Sequence, residues 1–187
     1  MSKKILIVYG SRFGSTEEIS YKLKQTLEKN GFFVDLVNLR SRRNKKINIH
    51  DYTGVLIGSG IWVTRWTKEA KNFLKTNIKD INERKISVGI FLSSGEASEP
   101  EKRPEVVEKY LKKVFTELGL DLGDHVLYDA FGGVYDLSKT TNLNWINRKM
   151  LRMVAQEDPK IDLYERRDYR DWNQINDFIN HFISKIQ

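Results

Sequence analysis

The chain has 187 residues, 40% of them apolar and 11% aromatic, enough for one domain with a sizeable core and too few for two. Thirty-two Lys and Arg against twenty-five Asp and Glu leave a net charge of +7, and this composition excludes a disordered or fibrous chain. Cysteine is absent, which excludes disulfides, thiolate metal sites, cysteine nucleophiles and cysteine-ligated iron–sulfur clusters, and fits a reducing compartment.

The apolar run Ile5-Leu6-Ile7-Val8 is too short for a signal sequence and no small-residue cleavage site follows it, so the expectation is a cytoplasmic protein. Nowhere do about 20 consecutive apolar residues occur, the length of a membrane-spanning helix. Short β-branched runs at residues 4–9, 33–38, 54–59, 86–92 and 125–131 are almost continuously apolar, as strands covered on both faces must be. Between them, apolar residues recur three and four apart: Ile19, Leu23 and Leu27, then Ala70, Phe73, Leu74 and Ile78, then Val107, Tyr110, Leu111, Val114 and Leu118. A last stripe, Ile175, Phe178, Ile179, Phe182 and Ile186, closes the pattern. The alternation is that of an α/β fold with a parallel sheet in a single domain over 1–187.

The segment 132–170 is too long for an ordinary connection and must carry its own structure. Leu143, Ile146, Met150, Met153 and Val154 predict a helix over about 142–156 that packs this stripe on the domain. Trp145, Arg148, Lys149 and Arg152 then share the other face, a candidate surface for an anionic membrane or a partner against the plainer reading of a solvated face.

After the first strand comes Gly10-Ser11-Arg12-Phe13-Gly14-Ser15-Thr16, leading into a helix. A hydroxyl-rich turn at a helix N-terminus suits an anion, because unpaired N–H groups and the helix dipole both point at it. Thr16 could instead be a plain N-cap. This loop has no Lys followed by Ser or Thr and no triple-glycine fingerprint, which excludes a nucleoside-triphosphate loop and a dinucleotide site and leaves a phosphate monoester.

Ser11-Arg12-Phe13-Gly14-Ser15-Thr16 resembles the flavodoxin phosphate loop, which holds the terminal phosphate of FMN, and Phe13 stands where Thr is commoner. The resemblance implies a doubly wound five-stranded parallel sheet of order 2-1-3-4-5 with an extra helix-bearing insertion before the last helix. It implies FMN rather than FAD or a nicotinamide as cofactor, held at the carboxyl ends of the strands. Ser59, Gly60, Ile61 and Trp62 look like the loop whose aromatic stacks on the isoalloxazine, with Trp62 or Trp66 capping the core as the alternative. Ser93, Ser94, Gly95 and Glu96 look like the loop at the pyrimidine edge and N5, and no stacking Tyr follows before Tyr110, so one ring face is open or is covered by the extra segment. Glu96, Glu99 and Glu101 read as a solvated acidic loop rather than as acid–base catalysts. His50, His125 and His181 have no ligand spacing, so no metal is expected.

Gly132-Gly133-Val134-Tyr135, Trp145-Ile146-Asn147-Arg148-Lys149-Met150, Tyr169-Arg170-Asp171-Trp172 and Pro100-Glu101-Lys102-Arg103 resemble the bacterial menaquinone-dependent protoporphyrinogen oxidases of flavodoxin fold. That likeness implies an oxidoreductase passing electrons from a reduced organic substrate through FMN to a quinone or other acceptor, cytoplasmic with a candidate peripheral contact at the inner face of the membrane. A flavodoxin carrier that docks to redox proteins without its own substrate is the alternative, and a fold without FMN is a third reading. The basic cluster Arg40, Arg42, Arg43, Lys45 and Lys46 reads as a solvated loop; no nucleic-acid module accompanies it, so no nucleic-acid partner is expected.

Overall fold

The computed structural model describes residues 3–41, 47–138, 145–157 and 164–187. Five parallel strands, β1 (Lys4–Gly10), β2 (Phe33–Asn38), β3 (Gly54–Trp62), β5 (Ser87–Ser93) and β6 (Val126–Phe131), form a sheet of order β2-β1-β3-β5-β6, and the two-residue β4 (Arg65–Trp66) pairs antiparallel with β3. With β4 set aside, this is the expected doubly wound order. The apolar runs alternate between two cores because successive side chains of a strand point to opposite faces. Ile5 and Ile7, with Leu56, Phe91 and Phe131, meet α1 (Ser15–Lys29) and α6 (Trp172–Ile186). Leu6 and Val8, with Val55, Ile57, Ile90 and Leu92, meet the opposite layer.

That second layer is α2 (Lys68–Arg84) and a helical stretch, α3 (Arg103–Val106), a π-helical turn (Val107–Lys112) and α4 (Lys113–Leu118). The π turn widens the helix locally and leaves a carbonyl to be used elsewhere: Tyr110 O accepts the Trp66 indole N–H at 2.7 Å. Among the described helices none is long and apolar enough to cross a membrane.

The insertion has its own architecture. Strands β7 (Val134–Asp136) and β8 (Arg166–Asp168) form an antiparallel ribbon, and α5 (Trp145–Glu157) lies between them in sequence. The expected start of α5 at 142, Leu143 and the side chain of Val154 lie outside the described residues, as do Arg42, Arg43, Lys45 and Lys46.

The orientation of α5 departs from the expectation. Leu151 and Ala155 are buried with Leu137, whereas Ile146 and Met153 are exposed, Met153 by 60%. Polar anchors set this rotation. Asn147 Nδ2 donates to the Arg12 carbonyl at 3.1 Å, and Arg148 donates to the carbonyls of Leu137 and Ser138, both at 3.2 Å. Arg148 therefore leaves the expected outer face, on which Trp145, Lys149 and Arg152 remain exposed.

Candidate functional site

The loops after β1, β3 and β5 converge at the carboxyl edge of the sheet on a cleft of about 380 Å³, within the range of small-molecule sites. Of the residues expected at a cofactor, all but Gly14 and Ser59 line it. Ser59 is fully buried, and its hydroxyl oxygen accepts the Thr67 N–H at 3.0 Å instead of reaching the cleft.

Gly14 caps α1 with φ +92°, the left-handed region that costs an L side chain strain. Its N–H donates to Ser11 Oγ at 3.0 Å, closing the turn. No side chain caps the helix, so Thr16 is not the N-cap; it is the second helical residue and is 1% exposed. The first-turn N–H groups thus face the cleft without a side-chain partner. Ser15 Oγ and Ser93 Oγ lie 2.7 Å apart, which couples the loops after β1 and β5. Arg12 lines the cleft and its buried Nε has no hydrogen-bond partner. An uncapped helix start, hydroxyls and an unpaired guanidinium N–H are the donor set that an anionic phosphate group fits.

The acids of the first helical turn are held away from this point. Glu17 accepts the Tyr9 hydroxyl at 2.6 Å, and burial together with that carboxylate pushes the Tyr9 phenol well above its ordinary value. Glu18 accepts from Arg166 at 2.8 Å and from Arg170 at 2.7 Å. Arg170, with a side chain 1% exposed, also bonds Asp168 and lies over the Trp172 ring. The insertion is therefore pinned to the start of α1 by a buried guanidinium.

Trp62 and Trp66 are separated by strand parity. Ile61 pairs with Trp66 and Trp62 with Arg65 across the β3–β4 hairpin, so the members of each pair share a face. Trp66 sits in the core against Phe115, ring centroids 6.4 Å apart. Trp62 lines the cleft and meets Phe13 edge-on at 5.0 Å. The hairpin turn is Val63-Thr64, with φ of +45° and +62°, both β-branched residues in the left-handed region.

In the loop after β5, the Ser94 N–H donates to the Phe131 carbonyl at 3.0 Å. Glu96 accepts the Tyr110 hydroxyl at 2.7 Å and pairs with Lys109, and Glu99 pairs with Lys102 at 3.0 Å. Both carboxylates are thus engaged within the protein, Glu96 by a buried tyrosine and a surface lysine and Glu99 by a surface lysine. Among the described residues no group of three or more His, Asp or Glu is arranged to hold a metal ion.

Sequence reasoning missed Tyr135. It lines the cleft from β7, and a Cβ added to Gly95 would fall 1.7 Å from its hydroxyl, so glycine at 95 is what admits it. Gly132 likewise lets the ribbon close, since a Cβ there would lie 2.1 Å from the Tyr169 carbonyl. The Gly132-Gly133 pair was the one local signal of such an approach. In the sheet order the β5 loop lies between the β3 hairpin and the chain leaving β6. Trp62 and Tyr135 thus wall the cleft from opposite sides of that loop.

A flavodoxin-domain family model matches residues 6–162. Protoporphyrinogen IX dehydrogenase [quinone] of Escherichia coli (strain K12) is 22% identical over 176 residues, covering 94% of this chain and 92% of that protein. The structure of a short-chain flavodoxin associated with a bacterial microcompartment superimposes over 100% of both chains with a TM-score of 0.54 and 10% identity. Oxidised Flavodoxin 2 from Bacillus cereus gives a TM-score of 0.46 at 21% identity, covering 83% of this chain and 99% of its own.

Proposed function

We propose, on the premise that this chain belongs to the flavodoxin-domain family, that it takes FMN into the cleft at the carboxyl edge of the sheet and serves electron transfer between redox partners. FMN as the cofactor and electron transfer as the general function follow from the family; we assign the residues and the partners from the site. The observation that carries the reading is the uncapped start of α1 behind Gly14, joined by hydroxyls and the unpaired Arg12 Nε in one cleft with Trp62.

When bound, FMN supplies the one- and two-electron chemistry. The chain's own residues bind and orient. Ser11–Thr16 hold the phosphate through the first-turn N–H groups of α1 and the Ser11, Ser15 and Thr16 hydroxyls. Trp62 and Tyr135 form the walls of the ring slot, and the Gly95 N–H offers a donor at the ring edge, the Ser94 N–H being bound to the Phe131 carbonyl. Gly60 and Ile61 close the slot beneath Trp62. Glu96 stays on Tyr110 and carries no proton step.

A second reading, oxidation of a reduced organic substrate of the porphyrinogen class with a quinone as acceptor, is favoured by the insertion. It puts a wall on the cleft that a five-stranded unit lacks, and the quinone-linked E. coli relative matches over 94% of this chain. On that reading Trp145, Lys149 and Arg152 of α5 supply a peripheral contact with an anionic membrane, each cation contributing about 1 kcal/mol near the surface. Trp145 is 75% exposed, as an interfacial anchor requires.

Visible spectroscopy during titration with FMN and with FAD tests the cofactor site, and saturable uptake of FMN alone is expected. Turnover of protoporphyrinogen with a menaquinone analogue then separates the two readings. Sustained turnover establishes the enzyme, whereas FMN reduction and reoxidation by redox proteins without it establishes the carrier. No uptake of FMN overturns both.

A further inference from the structure

The parallel register of β1 and β2 pairs Tyr9 with Asn38, and the Leu39 N–H continues the ladder onto the Tyr9 carbonyl at 2.9 Å. Two residues beyond each partner come Ser11 and Arg40, which leave the sheet abreast at its carboxyl edge. Asn38 turns the chain here. Its Oδ1 accepts the Arg40 N–H at 3.0 Å and its carbonyl accepts the Ser41 hydroxyl at 3.1 Å. The Arg40 side chain then lies toward the neighbouring loop, and its Nη1 donates to the Ser11 carbonyl at 2.7 Å. Ser11 is the residue whose hydroxyl closes the turn on Gly14. Arg40 therefore grips the phosphate loop at its hinge from a different strand.

We propose that Arg40 is a positioning residue for the FMN phosphate, fixing Ser11 and adding a permanent cation beside the loop, and that it makes the site prefer FMN to riboflavin. The proposal rests on the phosphate occupying the Ser11–Thr16 loop. A guanidinium has five N–H donors and stays charged at every physiological pH, so a bond to one carbonyl leaves its charge available to a neighbouring anion. The helix start contributes only about half an elementary charge, against about −1.5 to −2 for a phosphate monoester. The two acids of the first turn of α1 are engaged away from Arg40: Glu17 accepts the Tyr9 hydroxyl, and Arg166 and Arg170 pair with Glu18. The reading of residue 40 as one more cation in a solvated basic loop overlooks this register.

The test is titration of the full-length protein with FMN and with riboflavin, followed by flavin fluorescence, for the parent, Arg40→Gln and Arg40→Lys. Arg40→Gln is expected to weaken FMN on the order of tenfold while riboflavin changes less than about twofold, the size of effect that one charge-assisted contact exerts. Arg40→Lys keeps the charge and is expected to restore most of the preference. The parent's FMN affinity should also fall more steeply with salt than that of Arg40→Gln. Equal weakening of both flavins reduces Arg40 to a structural residue and overturns the proposal, as does a lysine variant that behaves like the glutamine one. A parent that binds neither flavin overturns the FMN site itself, whereas a parent that prefers FMN and an Arg40→Gln variant that keeps the full preference overturn the role of Arg40 alone.

Discussion

The Val63-Thr64 turn offers a direct measure of strain stored beside the cleft. The pairs Ile61 with Trp66 and Trp62 with Arg65 leave a two-residue hairpin loop, whose favoured form needs φ above zero at both positions. Asn-Gly meets that need, whereas Val and Thr at φ +45° and +62° each cost about 1 to 2 kcal/mol. Both side chains are exposed, Val63 by 69%, so replacement forfeits little packing. Against a gross gain of about 2 to 4 kcal/mol stands the extra chain entropy that glycine loses on folding, about 0.5 to 1 kcal/mol. The double variant Val63→Asn, Thr64→Gly should therefore be about 2 kcal/mol more stable, a rise in Tm of about 4 to 8 °C for a chain of this size. Thermal unfolding followed by circular dichroism, with FMN absent and at saturation, measures it. An unchanged or lowered Tm in both conditions refutes the claim that the turn is strained.

Trp62→Ala should abolish most of the fall in tryptophan emission on FMN binding, while Trp66→Ala leaves it, because Trp66 is in the core with its indole N–H on Tyr110; the reverse result would move the ring slot. Gly95→Ala drives a methyl into the Tyr135 hydroxyl and should destabilise the protein by about 1 to 3 kcal/mol in urea unfolding, with part of the loss recovered when Tyr135→Phe is added. Asp129 is pushed above the ordinary aspartate range, chiefly by burial. The folded state therefore keeps its proton where the unfolded state releases it, so stability falls as pH rises from the ordinary range through the raised value. Asp129→Asn keeps the bond from the Ala130 N–H and, with the Gln174 amide turned, donates to Gln174 Oε1 in exchange for the weaker Gln174 bond to the Ala130 carbonyl at 3.2 Å. It should stabilise the protein at neutral pH and give no gain in acid below the ordinary aspartate range, as denaturant midpoints against pH would show.

Much of the fold is legible because a strand covered on both faces must be apolar throughout, and no other element of five to seven residues reads that way. The strand runs at 4–9 and 33–38 correspond closely to β1 and β2. The run at 54–59 stops short of β3, which continues to Trp62. Its extension depends on a hairpin closed by two β-branched residues that carry no turn signal. The stripe from Val107 to Leu118 gives the helix but not its π turn, since that defect is set by what Tyr110 bonds on either side: Trp66 through its carbonyl and Glu96 through its hydroxyl. On α5 two apolar sets compete, Leu151 with Ala155 and Ile146 with Met153. Periodicity cannot rank them, because the side chains that decide the rotation, Asn147 and Arg148, are polar.

The loops of the site divide in the same way. Ser11–Thr16 is readable because its chemistry is local: a strand end, a turn with one glycine and a helix start within a few residues. The second wall is not, because the approach of Tyr135 to Gly95 goes together with the pairing of Tyr135 with Arg167 in the ribbon and the bond of Arg170 to Glu18 of α1. Each of those contacts joins residues distant in sequence, and contacts within one such network are not additive. The absence of an aromatic between Gly95 and Tyr110 is thus informative in combination with the insertion. A loop that carries a glycine where a side chain would collide with Tyr135 leaves its wall to be built by another part of the chain. The same contacts tie the wall to the phosphate loop, because Asn147 of α5 donates to the Arg12 carbonyl and Arg170 holds Glu18 in the first turn of α1. Ser11, Gly14 and Arg40 are set by the β1–β2 register and Tyr135 by the insertion, so the phosphate loop is held from two sides, by the strand pair that carries Arg40 and by the insertion that carries the second wall.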